Sequence, residues 1–305
     1  SSSLARMRFG VVEIRVSGKR GDTIRILPAE LIRDNMEVEQ RASGSPYYLQ
    51  YILKGKGMET WSPKFSYYGF RYAQVGGAVP DTVESAGPKI HSLKMLHTRN
   101  SAPSTGEFST SFELFNRINS LILWAIRSNI QSVSTDCPHR EKLGWLEQTY
   151  LMGESVHYNF DIYHLYSKVI DDMRDAQTEK GLIPCIVPEY TRFEAELVDF
   201  RDTPEWGSAS IIMPWQLFRW YGDTARLDKA WEMMARYADY LDSRAGDHIL
   251  SHGLGDWYDM GPERPGLLGS RQAGHGDPDA TGTVELRRPP RAAGSVHQCS
   301  LPLAR

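Results

Sequence analysis

The chain has 305 residues, enough for two domains and a sizeable core, with 35 basic and 38 acidic side chains and a formal net charge of −3. That balance argues against a nucleic-acid partner, which needs a basic face. No apolar run reaches bilayer-spanning length, so a membrane is not an expected partner either. The three cysteines, Cys137, Cys185 and Cys299, are odd in number and far apart, which speaks against a disulfide framework or a CxxC metal site. The histidines lack HExxH or comparable spacing, so a catalytic metal is not expected. The opening Ser-Ser-Ser-Leu-Ala-Arg has no signal-peptide core and reads as the interior of a β domain whose leader would lie upstream. Oligomeric state is left open; a periplasmic or extracellular location is the working expectation.

From Phe9 to about Val75 the sequence reads as short strands. Val12, Ile14 and Val16 alternate with polar neighbours, Ile24 and Ile26 repeat the pattern, and Tyr47 to Leu53 and Phe70 to Val75 add two more runs, which together predict a small β sandwich. Residues 76–106, rich in Gly, Pro and Ser, read mostly as connector. At Thr110 the period changes: Thr110 and Glu113 have capping-box spacing, and Phe112, Phe115, Ile118, Ile122 and Ile126 predict an amphipathic helix running to about Ser132. Further helices are predicted over Leu146 to Asn159, Asp161 to Lys180, Ser208 to Tyr221 and Thr224 to Arg244. Leu227, Trp231, Met234, Ala238 and Leu241 form the expected buried stripe of the last. Helices with almost no strand signal after residue 110 suggest an α/α toroid of helical hairpins. The fold class is therefore α+β and multidomain, a β sandwich over 1–97 followed by a toroid of helical hairpins over 98–266, which the resemblance given below implies is incomplete.

Residues 136–148, Asp-Cys-Pro-His-Arg-Glu-Lys-Leu-Gly-Trp-Leu-Glu-Gln, are the richest stretch in chemistry. Glycosidic cleavage uses a carboxylic acid that protonates the leaving oxygen, a second carboxylate, and groups that hold the ring hydroxyls. Tryptophan adds a flat apolar face for the C–H side of a sugar. Packing alone rarely places so many charges beside aromatics. The plainer alternatives are that Glu141 only pairs with Arg140 or Lys142 on a surface turn, and that Asp136 only caps the turn before Pro138.

This segment resembles the signature of the glycoside hydrolase family 78 α-L-rhamnosidases, and Glu59-Thr-Trp-Ser-Pro-Lys-Phe-Ser-Tyr-Tyr-Gly-Phe-Arg-Tyr72 resembles that family's lead-in to its catalytic domain. The resemblance covers roughly residues 10 to 266. It implies a six-hairpin (α/α)6 catalytic barrel, Glu141 as the general acid, Asp136 and Arg140 as ligands of the terminal rhamnose hydroxyls, a structural Cys137, and an inverting mechanism without a cofactor. It also implies a rhamnose-containing oligosaccharide or glycoside as partner. After Leu-Gly-Trp145 many members carry a small residue, Gly and Asp, whereas this chain has Leu146, Glu147 and Gln148. Glu147 is the expected replacement carboxylate, with Trp145 lining the site.

Asp202-Thr-Pro-Glu-Trp206-Gly-Ser-Ala resembles a family segment ending Trp-Gly-Asp-Ala, with Ser208 in place of Asp, and makes Trp206, read as a loop residue, a further wall of the site. Trp215 is a weaker candidate wall, since it, Trp220 and Trp231 have the helical spacing of core residues. Gly255-Asp256-Trp257 resembles another lining segment and adds Asp256 and Trp257 as substrate-binding candidates, with His252 nearby. The family's base is a later glutamate, and Glu285 stands in an Arg- and Pro-rich setting unlike it. Residues 267–305 match nothing in the family and read as a disordered or unrelated tail, or a frameshift near Gly266. Catalysis by this chain as written is therefore expected to be silent, with helix stripes left facing water. A non-catalytic carbohydrate-binding or scaffold module is the main alternative; the intact Asp-Cys-Pro-His-Arg-Glu order argues against a lyase or unsaturated-uronyl hydrolase.

Overall fold

A computed structural model describes residues 8–41 and 47–255. Ten strands come first: β1 (Arg8–Ser17), β2 (Thr23–Ala29), β3 (Leu31–Ile32), β4 (Val38–Glu39), β5 (Leu49–Ile52), β6 (Met58–Trp61), β7 (Tyr68–Phe70), β8 (Tyr72–Gly76), β9 (Val79–Pro80) and β10 (Lys89–His97). Five of them form one sheet ordered β6-β1-β10-β9, with β7 continuing the β6 side of β1, and three form a second ordered β5-β2-β8. Val12, Ile14 and Val16 of β1 and Ile24 and Ile26 of β2 point into one shared core. Period-two alternation puts every second side chain on one face, so two sheets facing each other bury both apolar faces at once.

Two strand expectations change. Phe70 to Val75 is not one strand: β7 and β8 flank Arg71 and join opposite sheets, β7 to β1 and β8 to β2. Residues 76–106 are not mostly connector, because β10 lies along the length of β1 as a central strand of the larger sheet. Its Lys and His residues and its Pro- and Gly-rich approach hide an alternation in which Ile90, Leu93 and Met95 face the core.

Among the described residues seven α-helices follow: α1 (Glu113–Asn129), α2 (Leu146–Leu151), α3 (Gly153–Asn159), α4 (Tyr163–Ala176), α5 (Pro204–Gly207), α6 (Ala209–Tyr221) and α7 (Thr224–Arg244). The predicted helix over 146–159 is broken at Met152 into α2 and α3. Helix α6 ends on Gly222 in the left-handed conformation (φ 69°), and the Asp223 side chain caps α7 by accepting from the Arg226 amide. Their shared core gathers Tyr166, Ile170 and Met173 of α4, Met213 and Leu217 of α6, and Ala230, Met233 and Tyr237 of α7.

The α7 stripe is thus rotated from the expected one. Ala238 is exposed and Trp231 is 66% exposed, because the residues that meet α4 and α6 are the small or flexible ones a close helix–helix approach admits. Helix α1 also departs from expectation. Thr110 does not form a capping box; its hydroxyl donates to the Phe112 carbonyl, and Asn116 folds back to bond the Thr110 backbone. Of the predicted stripe only Ile126 is buried, while Phe112, Phe115, Ile118 and Ile122 lie exposed. The expectation of stripes left in water holds for α1 and fails for α4, α6 and α7, which cover one another.

Candidate active site

The segment from Asp136 to Trp145 folds as a turn clasped from within. Both backbone groups of Leu143 close on Asp136: the Asp136 amide donates to the Leu143 carbonyl at 3.1 Å, and the Leu143 amide donates to the Asp136 side-chain Oδ1 at 3.0 Å. Asp136 Oδ2 accepts from the Cys137 thiol at 3.2 Å, and the Cys137 sulfur accepts from the Glu141 amide at 3.2 Å. Burial pushes the Asp136 carboxyl up, aided by the negative Glu141, against the Leu143 and Cys137 donors that pull it down. Burial likewise raises the Cys137 thiol, which keeps it a donor rather than a nucleophile. Asp136 therefore caps the turn, a role compatible with binding a sugar hydroxyl, and the thiol is part of that cap.

Glu141 stands at the open side of the turn with its side chain 35% exposed. Each of its oxygens has one partner: Arg140 donates to Oε1 at 2.9 Å and the Trp145 indole donates to Oε2 at 3.3 Å. Trp145 lies nearly parallel to Phe193, with ring centroids 5.9 Å apart, and meets Phe200 and Trp206 at 6.4 and 6.2 Å. Trp206 is only 8% exposed and sits in α5, not in a loop, so it supports Trp145 from below instead of forming an open wall. Trp215, by contrast, is half exposed.

Neighbouring segments fix this arrangement. The Gly144 amide donates to the Tyr190 hydroxyl, which donates in turn to the Lys142 carbonyl at 2.7 Å. The Leu146 amide donates to the Cys185 carbonyl, and the Cys185 amide donates to Arg201, whose guanidinium pairs with Glu189. From the β domain, the Gly69 amide donates to the Pro138 carbonyl at 2.6 Å. Lys142, in the left-handed region (φ 56°), reaches the Tyr67 carbonyl at 3.0 Å, its ammonium 4.1 Å from the Tyr68 ring centroid. His139 lies 3.3 Å from Glu30.

Glu147 and Gln148 take different directions from α2. Gln148 lines a cavity of about 90 Å³ together with Asp136 and Thr135, whereas Glu147 acts with Glu205 on the Tyr150 hydroxyl, which burial first and then those two charges push up. His252 approaches Asp202 at 3.4 Å, and Asp202 also accepts from the Tyr240 hydroxyl. Asp256 and Trp257 lie outside the described residues. The turn thus brings together Asp136, Arg140, Glu141 and Trp145, with Trp206 beneath. Sequence reasoning gave Tyr67 no role beyond its place in the Glu59 to Tyr72 segment and missed Tyr190, Phe193 and Phe200, whose only signal was aromatic type outside the predicted helices. Among the described residues no group of three or more His, Cys, Asp or Glu side chains is placed to hold a metal ion, and no helix is long and apolar enough to cross a membrane.

Comparison with known proteins supplies the family. Residues 103–274 match the bacterial α-L-rhamnosidase six-hairpin glycosidase domain, past Gly266, and residues 3–96 match the bacterial α-L-rhamnosidase concanavalin-like domain. An α-L-rhamnosidase of Formosa agariphila is 31% identical over 264 residues, which is 81% of this chain and 27% of that protein. One from Streptomyces avermitilis is 32% identical over 268 residues, 86% of this chain and 25% of its own length. Among solved structures, α-L-rhamnosidase from Dictyoglumus thermophilum superposes with a TM-score of 0.76 at 31% identity, covering 88% of this chain and 30% of that one. The Streptomyces avermitilis α-L-rhamnosidase complexed with L-rhamnose gives 0.74 at 29% identity, covering 88% and 25%. The chain spans between a quarter and a third of the length of these relatives. With both domain types matched in order and the Asp136 to Trp145 turn lying inside the second match, the chain belongs to the bacterial α-L-rhamnosidases of glycoside hydrolase family 78.

Proposed function

We propose that this chain carries the proton-donor side of a glycosidase site that releases terminal α-linked L-rhamnose from a glycoside or oligosaccharide with inversion. The observation that carries the reading is Glu141, half-covered at the open side of its turn, with one oxygen beside the Trp145 indole and the other beside Arg140. A carboxyl that donates a proton holds it on one oxygen, so the acid form exchanges one of these two donors for the leaving glycosidic oxygen. Trp145, backed by Phe193 and Trp206, is a rigid plane for the apolar face of a pyranose. Arg140, freed from Glu141, and Gln148 beside Asp136 are the hydroxyl ligands.

In an inverting reaction, Glu141 protonates the leaving oxygen as the anomeric bond breaks, and a second carboxylate about 6.5–9.5 Å away activates water on the opposite face. The family resemblance assigns that base to a later glutamate, beyond the part of the chain that resembles the family. The 305-residue chain is therefore expected to bind L-rhamnose weakly and not to turn over.

The test is hydrolysis of an aryl α-L-rhamnoside by the chain alone and by a version extended with the remaining helices of a full-length relative, with product anomer read by proton NMR. Glu141→Gln in the extended version is expected to lower turnover by about 10²–10⁴-fold. Equal turnover by the two lengths removes the missing-base argument, and an active Glu141→Gln variant removes the acid assignment. Rhamnose binding by an extended chain without any hydrolysis would favour the non-catalytic carbohydrate-binding alternative.

A further inference from the structure

Three polar side chains that the glycosidase reading leaves unused form a row across the larger sheet of the β domain. The Ser17 hydroxyl lies 2.9 Å from His91 Nε2, and His91 Nδ1 lies 3.0 Å from Asp81 Oδ2. A carboxylate on Nδ1 keeps the ring proton on that nitrogen, so Nε2 accepts from the serine hydroxyl. Among the described residues Ser17 Oγ has no other hydrogen-bond partner. The order is that of a nucleophile, its base and the group that orients the base.

Strand register explains the row. Val16 pairs with Ile90 inside the core, and Ile90 pairs with Pro80 of β9. Their chain neighbours Ser17 and Asp81 therefore project from the outer face of the sheet. His91 is the extra residue of a bulge between the Val16–Ile90 and Arg15–Ser92 pairs, and a bulge re-aims its side chain, here diagonally across to Ser17. The Asp81 amide donates to the Ile90 carbonyl at 3.0 Å, which keeps the carboxylate beside the ring. His91 is partly exposed and Asp81 exposed, and the row lies at the opposite end of β1 from His97, whose ring meets Trp124 of α1. Lys89 is the direct cross-strand partner of Ser17, a pairing that sets the two Cβ atoms about 5 Å apart, and its ammonium donates to the Val83 carbonyl.

We propose that Ser17, His91 and Asp81 are the nucleophile, base and orienting acid of a second hydrolytic site, whose substrates are short acyl esters. Ser17 Oγ attacks the acyl carbon while its proton passes to His91 Nε2, Asp81 stabilises the imidazolium, and Lys89 faces the oxyanion. The imidazolium then gives its proton to the departing alkoxide, which leaves acyl-Ser17 and a free alcohol. Water deprotonated by His91 cleaves the acyl group as its carboxylic acid and restores the serine. The outer face, with Met58 of β6 exposed opposite Ser17, suits a small acyl group better than a long chain. One mobile cation meets the oxyanion in place of two fixed amides, so the rate rests on general-base help, worth about 10²–10⁴-fold. The site is independent of the glycosidase reading and uses no residue of the Glu141 turn.

The experiment treats the 305-residue chain with diisopropyl fluorophosphate and, separately, with 4-nitrophenyl acetate. A single phosphoryl group located on Ser17 by peptide mass mapping is expected, with loss of ester hydrolysis in the labelled protein. Ser17→Ala and His91→Gln should each lower hydrolysis by about 100-fold or more, and Asp81→Asn by about tenfold or more, with folding of each variant checked by circular dichroism. Should a variant not fold, the position of the label on the unaltered chain decides alone. No label on Ser17, labelling that persists in a folded His91→Gln, or hydrolysis retained by Ser17→Ala would overturn the proposal. A row that only ties β9 to β1 would lower the melting temperature of these variants and leave Ser17 unlabelled.

Discussion

The backbone amide of Gly69 donates to the carbonyl of Pro138 at 2.6 Å, joining β7 to the turn that carries Glu141. A Cβ on Gly69 would stand 2.9 Å from the Pro138 carbonyl carbon, closer than side chains approach backbone. The contact needs glycine for its size, and the two domains meet where the acid is held. Gly69→Ala is expected to cost about 1–3 kcal/mol through overpacking, read by urea denaturation, and to loosen the turn as judged by amide exchange at Glu141 and Leu143. Unchanged exchange there would mean that the β domain merely lies alongside.

Lys142 is the second strut of that contact. Its half-buried ammonium is pulled below the usual lysine range by desolvation, while the Tyr67 carbonyl and the Tyr67 and Tyr68 rings hold it in place. Lys142→Met keeps the apolar stem and removes the charge, and is expected to cost about 1 kcal/mol. Lys142→Arg should recover part of the loss, because its guanidinium can still reach over the tyrosine rings.

Trp145 both orients Glu141 and spreads over an aromatic floor. Trp145→Phe removes the indole donor but retains a ring against Phe193, so stability should fall by about 1 kcal/mol. Trp145→Ala removes the ring contacts with Phe193, Phe200 and Trp206 and should cost about 3 kcal/mol, measured by chemical denaturation. If the two variants unfold alike, the stack contributes little.

Glu59 gives a pH prediction. Its carboxylate accepts from the Tyr51 hydroxyl at 2.7 Å and from the amides of Lys54 and Gly55 at 3.0 and 2.8 Å, and these donors, Tyr51 foremost, hold it down at about 2. A carboxyl lowered in the folded state adds stability above its ordinary value near 4.5, and that stability is lost as pH falls toward 2. Glu59→Gln should therefore lower the melting temperature at pH 7 and have almost no effect near pH 2. A constant difference across that window would show that shape rather than charge is at stake.

The Arg201–Glu189 pair tests the loop behind the site. Both side chains are largely covered, and the Arg201 carbonyl receives the Cys185 amide whose own carbonyl receives Leu146. Glu189→Gln should cost about 3 kcal/mol by leaving a covered cation unpaired, while the double change Arg201→Met with Glu189→Leu should be close to neutral. The measurement is again equilibrium denaturation, with Trp145 fluorescence reporting whether the turn follows.

What was legible in the residues is what local periodicity and local chemistry control. Alternation at Val12, Ile14 and Val16 named a core strand, Thr224 to Arg244 named a helix to the residue, and Asp-Cys-Pro-His-Arg-Glu placed an acid on a tight turn before any coordinates did. What only the tertiary structure decided depends on partners distant in sequence. β10 looked like a connector because its worth lies in pairing with β1, more than seventy residues away at Gly10 and His97. The buried face of α7 falls on Ala230, Met233 and Tyr237 instead of Trp231 because α4 and α6, not hydrophobicity, choose which side is covered. Trp206 went under Trp145, and Lys142 went into the β domain, for the same reason. A residue's type fixes what it can bond or bury, but only the packing of remote segments selects which of those options is used.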